Sequence, residues 1–378
     1  MTEITKRNHL STSQIIILGF SGVILAGSLL LMLPFATTNK EGASFLEALF
    51  TSTSAVCVTG LVVQDTATYW TMFGQFIILL LIQVGGMGVV TVAVSISLVS
   101  GRKISLMQRS TMQEAISAPK VGGILRLTYF ILKISILVEI LGAALMAPVF
   151  CRDFGLLKGM WYAVFHSVSA FCNAGFDLMG VKTPFSSLTS YTANPLVNGV
   201  IMFLIVFGGI GFATWEDIKE NRFRMKKYRM QSKIILLTTF VLIIVPFLYY
   251  FYFEFSSGVW GNLSLYERLQ VSFFQTITPR TAGFNTVDLT RLTESGQTIM
   301  IILMLIGGSP GSTAGGMKTT TIFVLFLSAF AVFRRKEDPA YFGRRIDGEV
   351  VRTAAAVLLM YVVLVLSGAV LMSCISYR

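Results

Sequence analysis

The sequence predicts an all-α, polytopic membrane protein built from a recurring unit of long outer helix, short re-entrant helix and long inner helix. Three observations predict it. The 378 residues are 54% hydrophobic and only 13% charged, with a mean hydropathy of +0.72, against about 25% charged in an ordinary soluble domain. Several runs reach the roughly 18 apolar residues that a spanning helix needs. Between them, three shorter apolar segments each end in a small-residue turn.

Taken in order, the long runs cover residues 15–35, 70–100, 125–150, 195–215, 234–255 and 350–373. Lys6 and Arg7 precede the first, as in a secretory signal. That run is too long and lacks a small-residue cleavage site, so it is structural.

The net charge of +11 would suggest nucleic-acid binding in a soluble protein, so its distribution decides. Basic residues gather at Arg102, Lys103, Arg109 and Lys120, then at Lys219, Arg222, Arg224, Lys226, Lys227, Arg229 and Lys233, then at Arg334, Arg335, Lys336, Arg344 and Arg345. These loops alternate with charge-poor ones. The positive-inside rule therefore places them and the N-terminus in the cytoplasm of a multi-pass cell-membrane protein, with no role in nucleic-acid binding. Cys57, Cys151, Cys172 and Cys374 show neither metal-ligand spacing nor a disulfide framework.

The short segments, 45–58, 158–171 and 265–277, lie opposite the basic loops. At about 20 Å as helices they fall short of a roughly 30 Å hydrocarbon core and read as re-entrant half-helices. Their turns are CVTGL, CNAGF and RTAGF. Each is followed by a span with a glycine cluster: Gly85, Gly86 and Gly88; Gly208, Gly209 and Gly211; Gly307, Gly308 and Gly311. The unit thus recurs near every hundred residues, dividing the chain into repeats at 1–120, 121–230 and 231–345, with the outer helix of a fourth at 346–378.

A half-helix entering from outside brings the negative end of its dipole and its unpaired carbonyls to mid-membrane, where cations are favoured. Backbone at that depth must be buried in protein or line a wet cavity. A ring of carbonyls can replace the hydration shell of an alkali ion. Gly60, Gly175 and Gly283 supply the unusual dihedrals such a filter needs. Val58 and Thr59, Asn173 and Ala174, and Thr281 and Ala282 supply the neighbouring carbonyls.

The run IGGSPGSTAGGMKTTT at 306–321 breaks the third inner span. Its glycines cost about 1 kcal/mol each in a helix, and its proline about 3. One reading is a helix kinked by small residues for close packing. The other, implied by the family resemblance given below, is an intramembrane gate formed by Gly307, Gly308, Ser309, Pro310, Gly311, Ser312, Thr313, Ala314, Gly315 and Gly316, with Lys318 or the loop backbone obstructing the ion path.

Other residues carry weaker signals. Lys133 and Glu139 share one span, as a charge pair or a snorkelling lysine. His166 lies in the second half-helix and reads as a satisfied buried histidine. Arg280 either holds the third turn through carbonyls or faces an outer vestibule.

Through SAVCVTGL, SAFCNAGFD, TPRTAGFNT and GGSPGSTAGGMKT, the chain resembles the Trk/Ktr/HKT potassium transporters, most of all the bacterial Ktr membrane subunit. The resemblance covers essentially all 378 residues. It implies four linked repeats around one pseudo-fourfold pore, selectivity glycines at Gly60, Gly175 and Gly283, and the gate reading of the broken helix. It also implies potassium uptake through a channel-like pore, a homodimer in the bilayer, and a separate cytoplasmic ring of nucleotide-binding regulatory subunits. No cofactor is expected on this chain beyond the transported potassium ion, with sodium stimulation left open. The basic loops are either the ring's docking surface or merely topogenic.

Rival readings come from other classes. A serine enzyme at Ser309 or Ser312 lacks a base, since the two histidines are His9 and His166. An ion-coupled secondary transporter also uses broken helices, but its inverted repeats would send half-helices in from opposite sides. The chain stops before a fourth half-helix, so a truncated, non-conducting fragment or a partial pore subunit of the same family is the remaining alternative.

Overall fold

Hydroxyl, carboxamide and carboxylate caps decide where many helices start. In the computed structural model, Ser11 with Gln14, Ser44 with Glu47, Ser105 with Gln108 and Ser264 with Glu267 form reciprocal capping boxes. Each satisfies two backbone donors that the first turn leaves unpaired. The structure describes residues 11–100, 104–116, 123–222, 224–256, 258–335, 339–341 and 344–376. Lys6, Arg7, His9, Arg102, Lys103, Lys120 and Lys336 lie outside them.

The chain forms two units, Met1–Phe185 and Ser186–Arg378. The first holds α1 (Thr12–Leu31), α2 (Phe45–Val56), α3 (Met72–Met87), α4 (Val89–Val99), α5 (Leu106–Ala115), α6 (Ile124–Phe154) and α7 (Leu156–Phe171). Helix α1 packs on α2 and α3, and α6 folds back on α7 across Gly155. Leu31, Ala55, Ile78, Ile82, Phe150 and Phe165 are buried there.

The second holds α8 (Pro195–Ile210), α9 (Phe212–Asn221), α10 (Met230–Tyr249), α11 (Leu265–Ile277), α12 (Glu294–Leu305) and α13 (Thr319–Phe333). A two-stranded hairpin, β1 (Ala340–Tyr341) with β2 (Arg344–Arg345), precedes α14 (Gly348–Ser376). Pro195 opens α8, where its missing N–H costs nothing. Pro246 lies in α10, which passes into a π-helical turn at Tyr250–Glu254. Tyr250, Phe255, Val271, Val287 and Leu292 form a core between that turn and α11.

Among the described residues, α1, α6, α10 with its π turn, and α14 are long and apolar enough to cross a bilayer. Two more spans result if each of two sharply bent pairs counts as one: α3 with α4, bent by 95°, and α8 with α9, bent by 92°. The expectation of continuous helices at 70–100 and 195–215 is thereby corrected. The bends fall at Gly88 (φ 83°) and Gly211 (φ 95°), backbone that an L side chain adopts only under strain. Leu359, Val363, Leu366 and Leu371 of α14 are largely exposed, as residues facing acyl chains would be.

Candidate ion site and broken inner helices

The three short helices end in the same backbone turn. After α2, Val58 has φ 56° and Gly60 φ 76°; after α7, Asn173 has φ 58° and Gly175 φ 71°; after α11, Thr281 has φ 64° and Gly283 φ 91°. Each turn therefore takes positive φ two residues before its glycine and again at the glycine. Asparagine tolerates that region, but for Val58 and Thr281, branched at Cβ, it is a strained conformation of the kind that clusters at functional sites.

Hydrogen bonding explains how the turns are held. The Thr59 amide donates to the Ser54 carbonyl and the Ala174 amide to the Ser169 carbonyl, both at 2.8 Å. In the third turn Ala282 and Gly283 donate to the Thr278 carbonyl, at 3.0 and 3.2 Å. The Ser169 hydroxyl donates to the Phe176 carbonyl (2.7 Å), and the Thr278 hydroxyl to the Phe284 carbonyl (2.6 Å). Turn amides are thus consumed by helix-end carbonyls. Among the described residues, the carbonyls of Val58, Thr59, Gly60, Ala174, Gly175, Thr281, Ala282 and Gly283 accept no hydrogen bond. Val58, Ala174, Gly175 and Ala282 are buried, and buried carbonyls without a donor are uncommon.

The first two turns touch. A Cβ at Gly60 would lie 2.6 Å from the Ala174 carbonyl oxygen. Helix α3 passes close behind them: a Cβ at Gly85 would meet the Val56 carbonyl at 2.0 Å, and one at Gly86 the Cys172 sulfur at 2.7 Å.

In the second unit, residues 306–318 between α12 and α13 form a folded loop. Gly307 and Gly308 amides donate to the Met317 and Gly315 carbonyls, at 3.0 and 3.1 Å. The loop is stitched to the α8–α9 break: Ser309 and Thr313 amides donate to the Gly209 and Gly208 carbonyls (2.9 and 3.2 Å), and the Phe212 amide to the Gly311 carbonyl (2.9 Å). These bonds replace partners lost where both helices stop. The Lys318 ammonium donates to the Ala314 carbonyl at 2.9 Å, within the loop itself. A Cβ at Gly316 would lie 3.2 Å from the Thr281 methyl, so the loop abuts the third turn.

The weaker candidates resolve differently. His166 is fully buried, with Nδ1 2.7 Å from the Tyr162 carbonyl and Nε2 accepting from the Leu178 amide at 3.3 Å. That is a satisfied structural histidine with its proton on Nδ1. Glu139 accepts from the Gln83 amide at 2.9 Å, whereas Lys133 is exposed and forms no ion pair with it. Arg280 is buried and, among the described residues, its Nε has no hydrogen-bond partner, so neither an exposed outer position nor a carbonyl held through Nε is seen. Ser309 shares a hydrogen bond with Thr319 (3.0 Å) and Ser312 approaches the Ala314 carbonyl (3.5 Å); neither partner is a general base. Among the described residues no cluster of His, Cys, Asp and Glu could hold a metal. Outside the spans, hydrogen bonds from the Ser264 amide and hydroxyl hold the Glu267 carboxyl below the usual carboxylate range.

Sequence reasoning named Val58 and Thr281 for their carbonyls but missed their strain, and it missed the paired breaks at Gly88 and Gly211. Asn173, the most tolerant residue for such a turn, carried the available signal, as did the third glycine of each of the first two clusters.

Residues 5–376 match the TrkH family, described as a cation transport protein. The sequence is 40% identical to the potassium/sodium uptake protein NtpJ of Enterococcus hirae over 340 residues, 90% of this chain and 74% of that protein. It is 39% identical to the Ktr system potassium uptake protein B of Bacillus subtilis, over 94% of this chain and 78% of that one. In structure it resembles the potassium transporter TrkH of Vibrio parahaemolyticus with a TM-score of 0.68 at 21% identity, over 93% and 69% of the two chains. At that identity the likeness speaks to fold alone.

Proposed function

The chain belongs to the TrkH family of cation transport proteins, and on that premise we propose that this multi-pass membrane protein takes potassium into the cell. The ion is held by main-chain oxygens of Val58, Thr59 and Gly60, of Asn173, Ala174 and Gly175, and of Thr281, Ala282 and Gly283. The observation that carries this reading is the shared turn geometry, with the carbonyls of Val58, Thr59, Gly60, Ala174, Gly175, Thr281, Ala282 and Gly283 accepting no hydrogen bond among the described residues. Carbonyl dipoles without donors suit a dehydrated monovalent cation.

In the same reading, the repeats span 1–120, 121–230 and 231–345, with a further outer helix at 346–378. The loop from Gly307 to Gly316, with Lys318, gates the path. The bonds from Ser309 and Thr313 to the α8 carbonyls support a defined closed position. The N-terminus and basic loops face the cytoplasm. Two copies pair in the bilayer above a separate nucleotide-binding ring. Sodium enters as a competing or stimulating ion, since one relative is named for both ions.

The test is potassium and sodium uptake by the full chain in proteoliposomes, with Gly175→Ser and Gly283→Ser variants at matched protein. A fall of roughly tenfold in potassium-over-sodium preference is expected, corresponding to about 1.4 kcal/mol of differential ion binding. Unchanged preference in both variants would remove the filter assignment.

A further inference from the structure

A cavity of about 730 Å³ lies at the N-terminal end of α10, lined by Met225, Lys226, Tyr228, Lys233, Leu236, Leu237, Phe240 and Tyr341. It is remote in sequence from the filter turns and the loop at 306–318. Its walls divide by chemistry. Lys233, Leu236, Leu237 and Phe240 are spaced by three, four and seven residues, which puts them on one stripe of the helix. Leu237 and Phe240 are substantially exposed. The Lys233 ammonium donates to the Lys226 carbonyl at 2.9 Å, which brings both lysines to one end of the stripe. From there the apolar residues run about 10 Å along α10 into its apolar length.

The opposite wall is fixed by the hairpin. Tyr341 sits edge-on to Phe323 of α13 at 5.0 Å. It is paired in register with Arg344 of β2, next to Arg345. None of the described lining residues is acidic.

We propose that this groove is a binding site for an anionic phospholipid. Its phosphate is held between Lys226 and Lys233, and one acyl chain lies along Leu236, Leu237 and Phe240. Charge complementarity selects the headgroup: cationic clusters next to an apolar span attract acidic lipids, whereas a zwitterionic headgroup brings its own compensating cation. The apolar stripe selects a lipid over a free phosphate, because only an acyl chain covers Leu237 and Phe240. Bound there, the lipid joins α10 to the hairpin that follows α13, at a point set by the protein rather than by the bulk bilayer.

The experiment is native mass spectrometry of the delipidated full chain, incubated with phosphatidylglycerol or phosphatidylcholine of equal chain length. Phosphatidylglycerol should be retained preferentially. The Lys226→Gln/Lys233→Gln double variant should lose roughly 25-fold in that retention, about fivefold per lysine, with phosphatidylcholine retention unaltered. Glycerol phosphate should fail to compete, and Phe240→Glu should block retention of both lipids in the groove. Equal retention of the two lipids by the wild-type chain overturns the proposal whether or not the variants purify. So does an unaffected double variant, full competition by glycerol phosphate, or efficient disulfide cross-linking of two copies through Phe240→Cys, which would assign the groove to a second copy. Ion flux enters none of these readouts, so the proposal stands or fails independently of the uptake reading.

Discussion

An alanine at position 60 would bring its methyl carbon to 2.6 Å from the Ala174 oxygen, at a φ of 76° that costs an L residue roughly 1–2 kcal/mol on its own. The carbonyl it strikes is one of the buried unpartnered ones, so relief of the clash must move a proposed ligand. We therefore expect Gly60→Ala to reduce potassium preference by about tenfold or more, at normal abundance in the membrane. Equal relative uptake of potassium and sodium by variant and wild type would count against it. The strain at Val58 and Thr281 was invisible in the sequence, because nothing in the letters V or T signals a positive φ. Gly60, Gly175 and Gly283 were legible because they recur in step with hydropathy. His166 was legible for a similar reason: a lone histidine in an apolar helix must be satisfied by its own surroundings.

At the scale of elements, α11 occupies the range its apolar run predicts, since the Ser264–Glu267 capping box fixes its start. The bends after α3 and α8 were not foreseen because hydropathy runs unbroken through Gly88 and Gly211, and a hydropathy reading is blind to direction. Helix α5 and the β1–β2 hairpin were also missed; α5 announces itself only through Ser105 and Gln108. The loop at 306–318 was read as a break, but its attachment to Gly208 and Gly209 is long-range and unreadable from spacing. That attachment sharpens its prediction. Deleting residues 311–315 removes the bonds at Gly311 and Thr313, which in the proposed reading hold the gate closed. Flux measured in proteoliposomes should rise while potassium preference persists. Unchanged flux with lowered thermal stability would instead favour a packing kink.

For the whole molecule, the proposed orientation rests on charge, because short loops rich in Lys and Arg are retained on the cytoplasmic side. The positions that decide it lie in the second unit. Lys226 and Lys227 fall between α9 and α10, whereas Ser186 to Thr192 precede α8, and Asp288 to Arg291 lie between α11 and α12. Helix α11 must begin on the same side as the segment that follows it if it is re-entrant, since at 13 residues it reaches only about 20 Å. A single-cysteine series in a background lacking Cys57, Cys151, Cys172 and Cys374 tests this. Lys226→Cys should react with a membrane-impermeant maleimide only in inverted vesicles. Ser264→Cys, before α11, and Thr290→Cys, after its turn, should both react only from the outer face of intact cells. Labelling of Ser264→Cys and Thr290→Cys from opposite faces would make α11 a full crossing. A full crossing would leave its carbonyl end at the bilayer surface, where water already satisfies it and no filter could form.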